Sequence, residues 1–428
     1  MKILEIIGNQ KLTGTIHING DKNSAVALIP AAILSDGVVS LSNVPDISDI
    51  EALEEILSFL NARFEKTKGS LVIDSSKLEN KEVPIEITQK LRASYYFMGA
   101  LLGKYKKVEM YFPGGCNIGE RPIDQHLKGF EALGATITEE GNKYIIEAEE
   151  LVGTTIRIDM PGKGATTSVG ATINIMLAAV KAKGITIIEN AAREPQIVNV
   201  AMFLNSMGAH ITGFGTEEIR IEGVEHLGDA QNEVIPDRIE AGTYLIAGAL
   251  IGENLNIEGI IPEHCAALID SLKKIGVPMN IGENNIIISS SDNYKNTNIK
   301  TVVYPGFVTD LQQPFTALLT QCTGISEIVE TIFENRFQNV DYLVKMGAII
   351  TVDKRVPYKM KATIVGPTKL IGTEVTATDL RAGACLILAA LKAEGTTIIK
   401  DVEHILRGYA DIVSNLQKVG ARIELKEI

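Results

Sequence analysis

One phrase returns six times along this chain, and a chain that repeats itself at this interval is built from copies of one structural unit. The phrase is an apolar stretch, a glycine, and then alternating apolar residues. Its clearest copies are Ala132-Leu-Gly-Ala-Thr-Ile137, Ser206-Met-Gly-Ala-His-Ile211, Lys345-Met-Gly-Ala-Ile-Ile350 and Lys418-Val-Gly-Ala-Arg-Ile423. Phe59–Phe64 and Lys274–Met279 are more divergent copies. The anchors are Asn61, Gly134, Gly208, Gly276, Gly347 and Gly420, spaced by 73, 74, 68, 71 and 73 residues. Glycine after an apolar helical face is a helix C-cap signal. The alternation that follows, as in Ala135–Glu139 and Tyr144–Glu147, reads as a hairpin.

Each copy also has a first half, in which a strand turns into a helix of small residues. Thr15–Asn19 leads into Ser24–Leu34, Thr155–Asp159 into Ser168–Ala182, Thr301–Tyr304 into Leu311–Gln321, and Glu374–Ala377 into Leu380–Ala393. A glycine-led strand follows, as in Gly37–Leu41, Gly184–Ile188 and Gly395–Ile399. The unit is strand–helix–strand–helix–hairpin, present six times, and the fold class is α/β. Helices rich in Ala and Gly, such as Ala241–Gly252, are expected to be buried all round. At 428 residues the chain is too long for one core, so three units in each of two similar domains is the natural split. No strand follows the sixth hairpin, so the N-terminal strand is expected to close the last domain. The boundaries predicted are 22–235 for one domain and 1–21 with 236–428 for the other.

The formal charge is −12 and no Lys/Arg run occurs, which argues against nucleic-acid or membrane-surface binding. Cys116, Cys265, Cys322 and Cys385 lie far apart without metal or disulfide spacing, the pattern of free thiols in a reducing cytoplasm. The N-terminus carries an early acid and no long apolar core, so no signal peptide is expected, and no stretch reaches the ~20 apolar residues of a membrane span. His126, His264 and His404 have no ligand spacing and read as structural; Cys265, Cys322 and Cys385 read as core. With no dinucleotide or phosphate-loop fingerprint, no cofactor and no metal are expected.

Chemistry concentrates at equivalent points of the repeats. The helix entries carry Lys22, Arg92, Arg238 and Arg381, and the second loops carry Arg121, Arg336 and Arg407. Asp46, Asp49 and Glu263 are explained as N-terminal caps. The cations are not, because a positive charge at a helix N-terminus opposes the helix dipole unless an anion sits among them. The inference is a cationic cleft between two domains that binds a polyanion. Beside it, Pro113-Gly-Gly-Cys-Asn-Ile-Gly-Glu-Arg-Pro122 can only be a loop, with Cys116 near a cation that favours its thiolate.

These phrases, with Gly20-Asp-Lys22-Asn23, Leu91-Arg92-Ala-Ser94, Ser168-Val-Gly-Ala-Thr172, Pro236-Asp-Arg238-Ile-Glu240, Thr309-Asp310-Leu-Gln312, Glu330–Phe337, Ala377-Thr-Asp379-Leu-Arg381-Ala and Arg407-Gly-Tyr409, match a known family in order. Over essentially its whole length the chain resembles the UDP-N-acetylglucosamine 1-carboxyvinyltransferases of the EPSP synthase family. The resemblance implies an inside-out α/β barrel in each of two similar domains. It also implies enolpyruvyl transfer from phosphoenolpyruvate to the 3′-hydroxyl of UDP-N-acetylglucosamine, the first committed step of peptidoglycan synthesis, by a cytoplasmic enzyme expected to be a monomer. Cys116 is implied as proton donor to C3 and as the target of fosfomycin, and Asp310 as base. Lys22, Arg121 and Arg407 are implied as the phosphate clamp, with Asn23, Arg92, Arg336 and Arg381 nearby. Asp379 is implied to orient Arg381 or Arg407. The nucleotide-sugar contacts implied are Asn23, Arg92, Arg121, Pro122, Ile123, Asp124, Gln125, Ser168, Val169, Gly170, Arg238, Asp310 and Ile332. One departure concerns the family's basic residue ahead of Ser-Val-Gly: here Thr166 and Thr167 stand there, with Lys163 earlier. The competing readings are 5-enolpyruvylshikimate-3-phosphate synthase, which lacks the Pro-Gly-Gly-Cys loop, and a catalytically silent paralogue that binds the nucleotide sugar. Intact Lys22, Cys116, Asp310 and Arg407 argue against the latter.

Overall fold

The computed structural model describes residues 2–114, 122–160, 166–356 and 358–427; Cys116, Arg121 and Lys163 lie outside them. Among the described residues the strands form six sheets, and one pairing rule recurs. In the third unit Ile185–Glu189 pairs parallel with Thr155–Arg157 and antiparallel with Glu218–Glu222, which in turn pairs with His210–Thr212. Every anchor of the repeated phrase has left-handed backbone: φ is +65° at Asn61, +101° at Gly134, +108° at Gly208, +93° at Gly276, +105° at Gly347 and +102° at Gly420. That conformation is why glycine, or once asparagine, must stand there.

The helices that open the units fill the interior, and the sheets lie outside them. Lys22–Ala32, Tyr96–Tyr105 and Val169–Ala179 pack together in one core, and Arg238–Ile251, Gln312–Leu319 and Leu380–Lys392 in another. Every residue of Arg238–Ile251 is buried. The first cluster of buried apolar residues runs from Ala25 to Val234 and adds Ala410. The second takes Leu4–Ile18 and Ile239–Ile423. This is the inside-out α/β barrel, twice.

The strand preceding each half's first helix belongs to the other half. Thr15–His17 pairs with Leu255–Glu258, while Ala230–Glu233 pairs with Val38–Ser42. Lys2–Ile7 lies between Thr396–Lys400 and Arg422–Glu427, antiparallel to both. The chain therefore crosses between the cores twice, side by side. Asp21 N donates to the Ile235 carbonyl at 2.7 Å and Asp237 N to the Asn19 carbonyl at 2.9 Å. Gly20 sits at this crossing because a Cβ there would fall 1.8 Å from the Asn43 carbonyl oxygen.

One predicted strand is displaced. Asn298–Lys300, not Thr301–Tyr304, pairs with the strand Cys322–Glu330. After the bond from Thr301 N to Val329 O the chain turns away, with Val302 N donating to Phe307 O at 3.0 Å. Tyr304 lies in that turn, ahead of Pro305, and faces the cleft.

Candidate functional site

A cavity of about 410 Å³ opens between the two cores, and all six unit-opening helices send residues to it from their N-terminal ends. They contribute Lys22 and Asn23; Arg92 and Tyr95; Ser168, Val169 and Gly170; Arg238; Thr309 and Asp310; Leu380 and Arg381. The convergence follows from the fold: three parallel helices per core point one way, and the two cores face each other. Six positive dipole ends then meet at one place.

The sequence manages this field with capping carboxylates. Asp21 caps Lys22–Ala32 through Ser24 N, Asp237 caps Arg238–Ile251 through Ile239 N and Glu240 N at 2.8 and 2.9 Å, and Asp379 caps Leu380–Lys392 through Arg381 N and Ala382 N at 2.8 and 3.0 Å. Each stands one or two residues before Lys22, Arg238 or Arg381. Asp379 thus touches Arg381 through its backbone N–H, the helix start having claimed the carboxylate that the family likeness assigns to orienting a guanidinium. Burial, and the facing Asp237 carboxylate, push Asp21 up to about 7.

Arg336 and Arg381 are 2% and 5% exposed and converge on one atom, Asp310 Oδ1. Arg336 Nη2 donates to it, and Arg381 Nε lies 3.6 Å away. Burial works to raise the Asp310 carboxyl, but Arg381 and Arg336 outweigh it and hold it well below the usual carboxylate range. Aromatic rings brace the guanidiniums: Arg238 over Tyr304 at 5.2 Å, Arg381 over Tyr409 at 5.3 Å, Arg336 over Phe333 at 5.7 Å and Arg92 over Tyr95 at 6.0 Å.

Asp49 corrects the sequence reading. It lies within the helix Ser48–Phe59, whose cap position is Ile47 without a side-chain bond. Its nearly buried carboxylate joins Lys22 Nζ at 2.9 Å to Arg407 Nη2 at 3.1 Å, so it spans the two cores. His126, read from sequence as merely structural, also lines the cavity, as do Glu194, singled out only as a polar loop residue, and Tyr304, placed only in a strand.

Pro122, Ile332, Arg336, Asp379 and Arg407 complete the set of predicted residues lining the cavity. Ile123, Asp124 and Gln125 are not lining residues. Ile123 is 8% exposed and part of the first core, and Gln125 spends its amide on Asp124 Oδ2 at 3.0 Å and Asp159 N at 3.1 Å. Cys265, Cys322 and Cys385 are buried, with thiols pushed up to about 12 by burial.

The match to known proteins agrees with this geometry. The family model described as EPSP synthase (3-phosphoshikimate 1-carboxyvinyltransferase) matches residues 6–416. The chain belongs to the EPSP synthase family. Within it, UDP-N-acetylglucosamine 1-carboxyvinyltransferase 2 of Geobacillus kaustophilus is 50% identical over 423 residues, covering 99% of this chain and 96% of the relative. UDP-N-acetylglucosamine 1-carboxyvinyltransferase 1 of Staphylococcus haemolyticus is 50% identical over 430 residues, covering 100% and 99%. The crystal structure of the enolpyruvyl transferase NikO from Streptomyces tendae superposes with a TM-score of 0.89 at 25% identity over 99% of both chains. EPSP synthase from Acinetobacter baumannii gives 0.73 at 18% identity over 100% of both, a likeness of fold. This family's two-barrel fold puts the helix ends, and hence the cations, on one cleft.

Proposed function

We propose that the protein transfers the enolpyruvyl group of phosphoenolpyruvate to the 3′-hydroxyl of UDP-N-acetylglucosamine, releasing phosphate, as the committed step of peptidoglycan synthesis. The observation that carries the reading is the convergence, among the described residues, of six helix N-termini and six cations on one cavity, in a chain half identical to relatives of that name. Two trianionic or dianionic substrates need such a field, and the charge they bring offsets the cost of gathering the cations.

The reaction is an addition followed by an elimination. The sugar oxygen bonds to C2 of phosphoenolpyruvate as C3 takes a proton; C3 then returns a proton and the C2–O bond to phosphate breaks. Cys116 supplies the proton to C3 and Asp310 takes the one from the hydroxyl. A carboxylate held by two guanidiniums is a weak base. The incoming carboxylate competes for Arg336 and Arg381, and Asp310 gains basicity as they let go. Lys22 and Arg407, already joined through Asp49, receive the phosphate together with Arg121. Arg92, Arg238, Ser168, Val169, Gly170, Asn23 and Ile332 face the nucleotide sugar. The two halves, 22–235 and 1–21 with 236–428, act as domains around this cleft in a cytoplasmic monomer.

Phosphate release from phosphoenolpyruvate tests the reading. Release requiring UDP-N-acetylglucosamine, its loss in Cys116→Ser, and one fosfomycin adduct by intact mass are expected. Release with shikimate 3-phosphate instead would transfer the protein to the EPSP synthases, and tight sugar-nucleotide binding without turnover would make it a silent paralogue.

A further inference from the structure

Asn174 is the one asparagine in the helix Val169–Ala179, fully buried among Ile173, Ile175 and the facing helix. Its carboxamide reaches across to Tyr96–Tyr105. Gly99 N donates to Asn174 Oδ1 at 2.8 Å, and Asn174 Nδ2 donates to the Tyr95 carbonyl at 2.9 Å. Those backbone groups are four residues apart, the pair that an α-helix ordinarily joins to each other. The approach is possible because residue 99 is glycine: a Cβ there would fall 2.4 Å from Asn174 Oδ1.

A backbone N–H can only donate and a carbonyl can only accept, so this pair fixes which end of the amide is which. The second hydrogen on Nδ2 then points at His126 Nδ1, 2.9 Å away. Nδ1 must accept it, and the ring proton is left on Nε2. That edge of the ring faces the start of the helix Val169–Ala179, where a Cβ on Gly170 would lie 3.0 Å from His126 Nε2 and 2.7 Å from the Tyr95 hydroxyl.

We propose that Asn174 is a positioning residue that locks His126 as an Nε2–H hydrogen-bond donor to the nucleotide sugar, beside the Val169 and Gly170 backbone at the helix start. This deepens the assignment of that half of the cleft to UDP-N-acetylglucosamine, and rests on it. The ring also stays neutral. Burial and the Arg92 charge push His126 down to about 3, against a smaller opposing pull from Asp124, while the Tyr95 ring packs edge-on at 4.7 Å. A neutral donor of fixed direction accepts an oxygen ligand without changing the charge of the cleft as pH varies.

Long-range 1H–15N spectra of 15N-histidine-labelled ligand-free enzyme, with His126 assigned from the His126→Gln variant, test this directly. A single Nε2–H tautomer that does not titrate between pH 5 and 8 is expected. In Asn174→Asp the carboxylate accepts from Nδ1–H, so the tautomer switches or the ring becomes cationic. An Nδ1–H tautomer in the wild type, or titration near pH 6.5, overturns the proposal whatever the substrate. In turnover, Asn174→Asp is expected to raise KM for UDP-N-acetylglucosamine about tenfold with KM for phosphoenolpyruvate little changed, the cost of one misdirected hydrogen bond to a charged ligand. Adding His126→Gln, whose amide N–H needs no tautomer, recovers most of that loss. Without recovery, Asn174 acts only on helix packing. Should Asn174→Asp fail to fold, His126→Gln against His126→Leu asks the same question: equal KM values refute the donor. Absence of turnover with this sugar in the wild type refutes the substrate and leaves the spectra to decide the tautomer.

Discussion

Asp310→Asn removes the one carboxylate on which Arg336 and Arg381 both rest. Their side chains are 2% and 6% exposed, and both approach the same oxygen. Two unit charges so placed lie about 6 Å apart and repel by about 3 kcal/mol at an effective dielectric of ~20. In the wild type the Asp310 carboxylate more than offsets this; in the variant Asp237, acting on Arg381, and Glu330, acting on Arg336, offset it only in part. Taking roughly 2.1 cal/mol/K of unfolding entropy per residue, about 3 kcal/mol lowers the Tm of a chain this long by about 3 °C. An anion added from solution can stand in for the lost charge. Thermal scans of both proteins, with and without inorganic phosphate or phosphoenolpyruvate, are expected to show a lower Tm for the variant and a larger gain on adding the anion. Turnover falls by about 10²- to 10⁴-fold, the usual worth of a general base. Equal Tm values and equal anion gains would refute the reasoning, because the two guanidiniums would then not depend on Asp310 for their charge balance.

Asp49→Asn leaves Lys22 and Arg407 without the anion between them, so inorganic phosphate is expected to bind several-fold tighter by calorimetry while kcat falls; weaker phosphate binding would mean that Asp49 positions the cations without competing for them. Gly208→Ala meets no atom within 4 Å, so its cost is the left-handed backbone alone, about 1–2 kcal/mol by urea unfolding, and Gly208→Asn costs less, as Asn61 at the equivalent point implies. His126 is held down to about 3 in the folded protein against about 6.5 unfolded, so the unfolded state binds the extra proton and stability falls as pH drops from about 6.5 towards 3. At pH 4.5 that costs about 2–3 kcal/mol, and His126→Gln should narrow the gap between unfolding free energies at pH 8 and pH 4.5 by this amount.

What could be read from the chain alone was whatever repeats or is local. The anchors stood out because a left-handed residue after a helix admits few side chains, and six such points at near-equal spacing define the units. The cationic helix entries were visible for a similar reason, since Lys22, Arg238 and Arg381 each follow a capping aspartate. Asp49 was hidden because its partner Arg407 lies 358 residues away, and a carboxylate near a helix start has a sufficient local explanation. Thr301–Tyr304 misled because Val302 and Val303 continue the β-branched pattern past the point where the ladder ends. Asn174 did leave a mark, a lone amide in an apolar helix, but its meaning depends on His126, on another helix.

Lys2–Ile7 pairs on both edges with strands made some four hundred residues later. During synthesis the first half, from Ala25 to Val234, has its own buried core and can condense early. The segment that carries Ile3, Leu4 and Ile6 cannot join it and must wait as an unpaired apolar strand until Arg422–Glu427 leaves the ribosome. The sheet of Lys2–Ile7, Thr396–Lys400 and Arg422–Glu427 is therefore a closure step of high contact order, and the slowest to form. It ties the cleft residue Arg407 and the crossing at Asn19–Asp21 to one late event, so a chain truncated before the last strand keeps a foldable first half and no complete cleft.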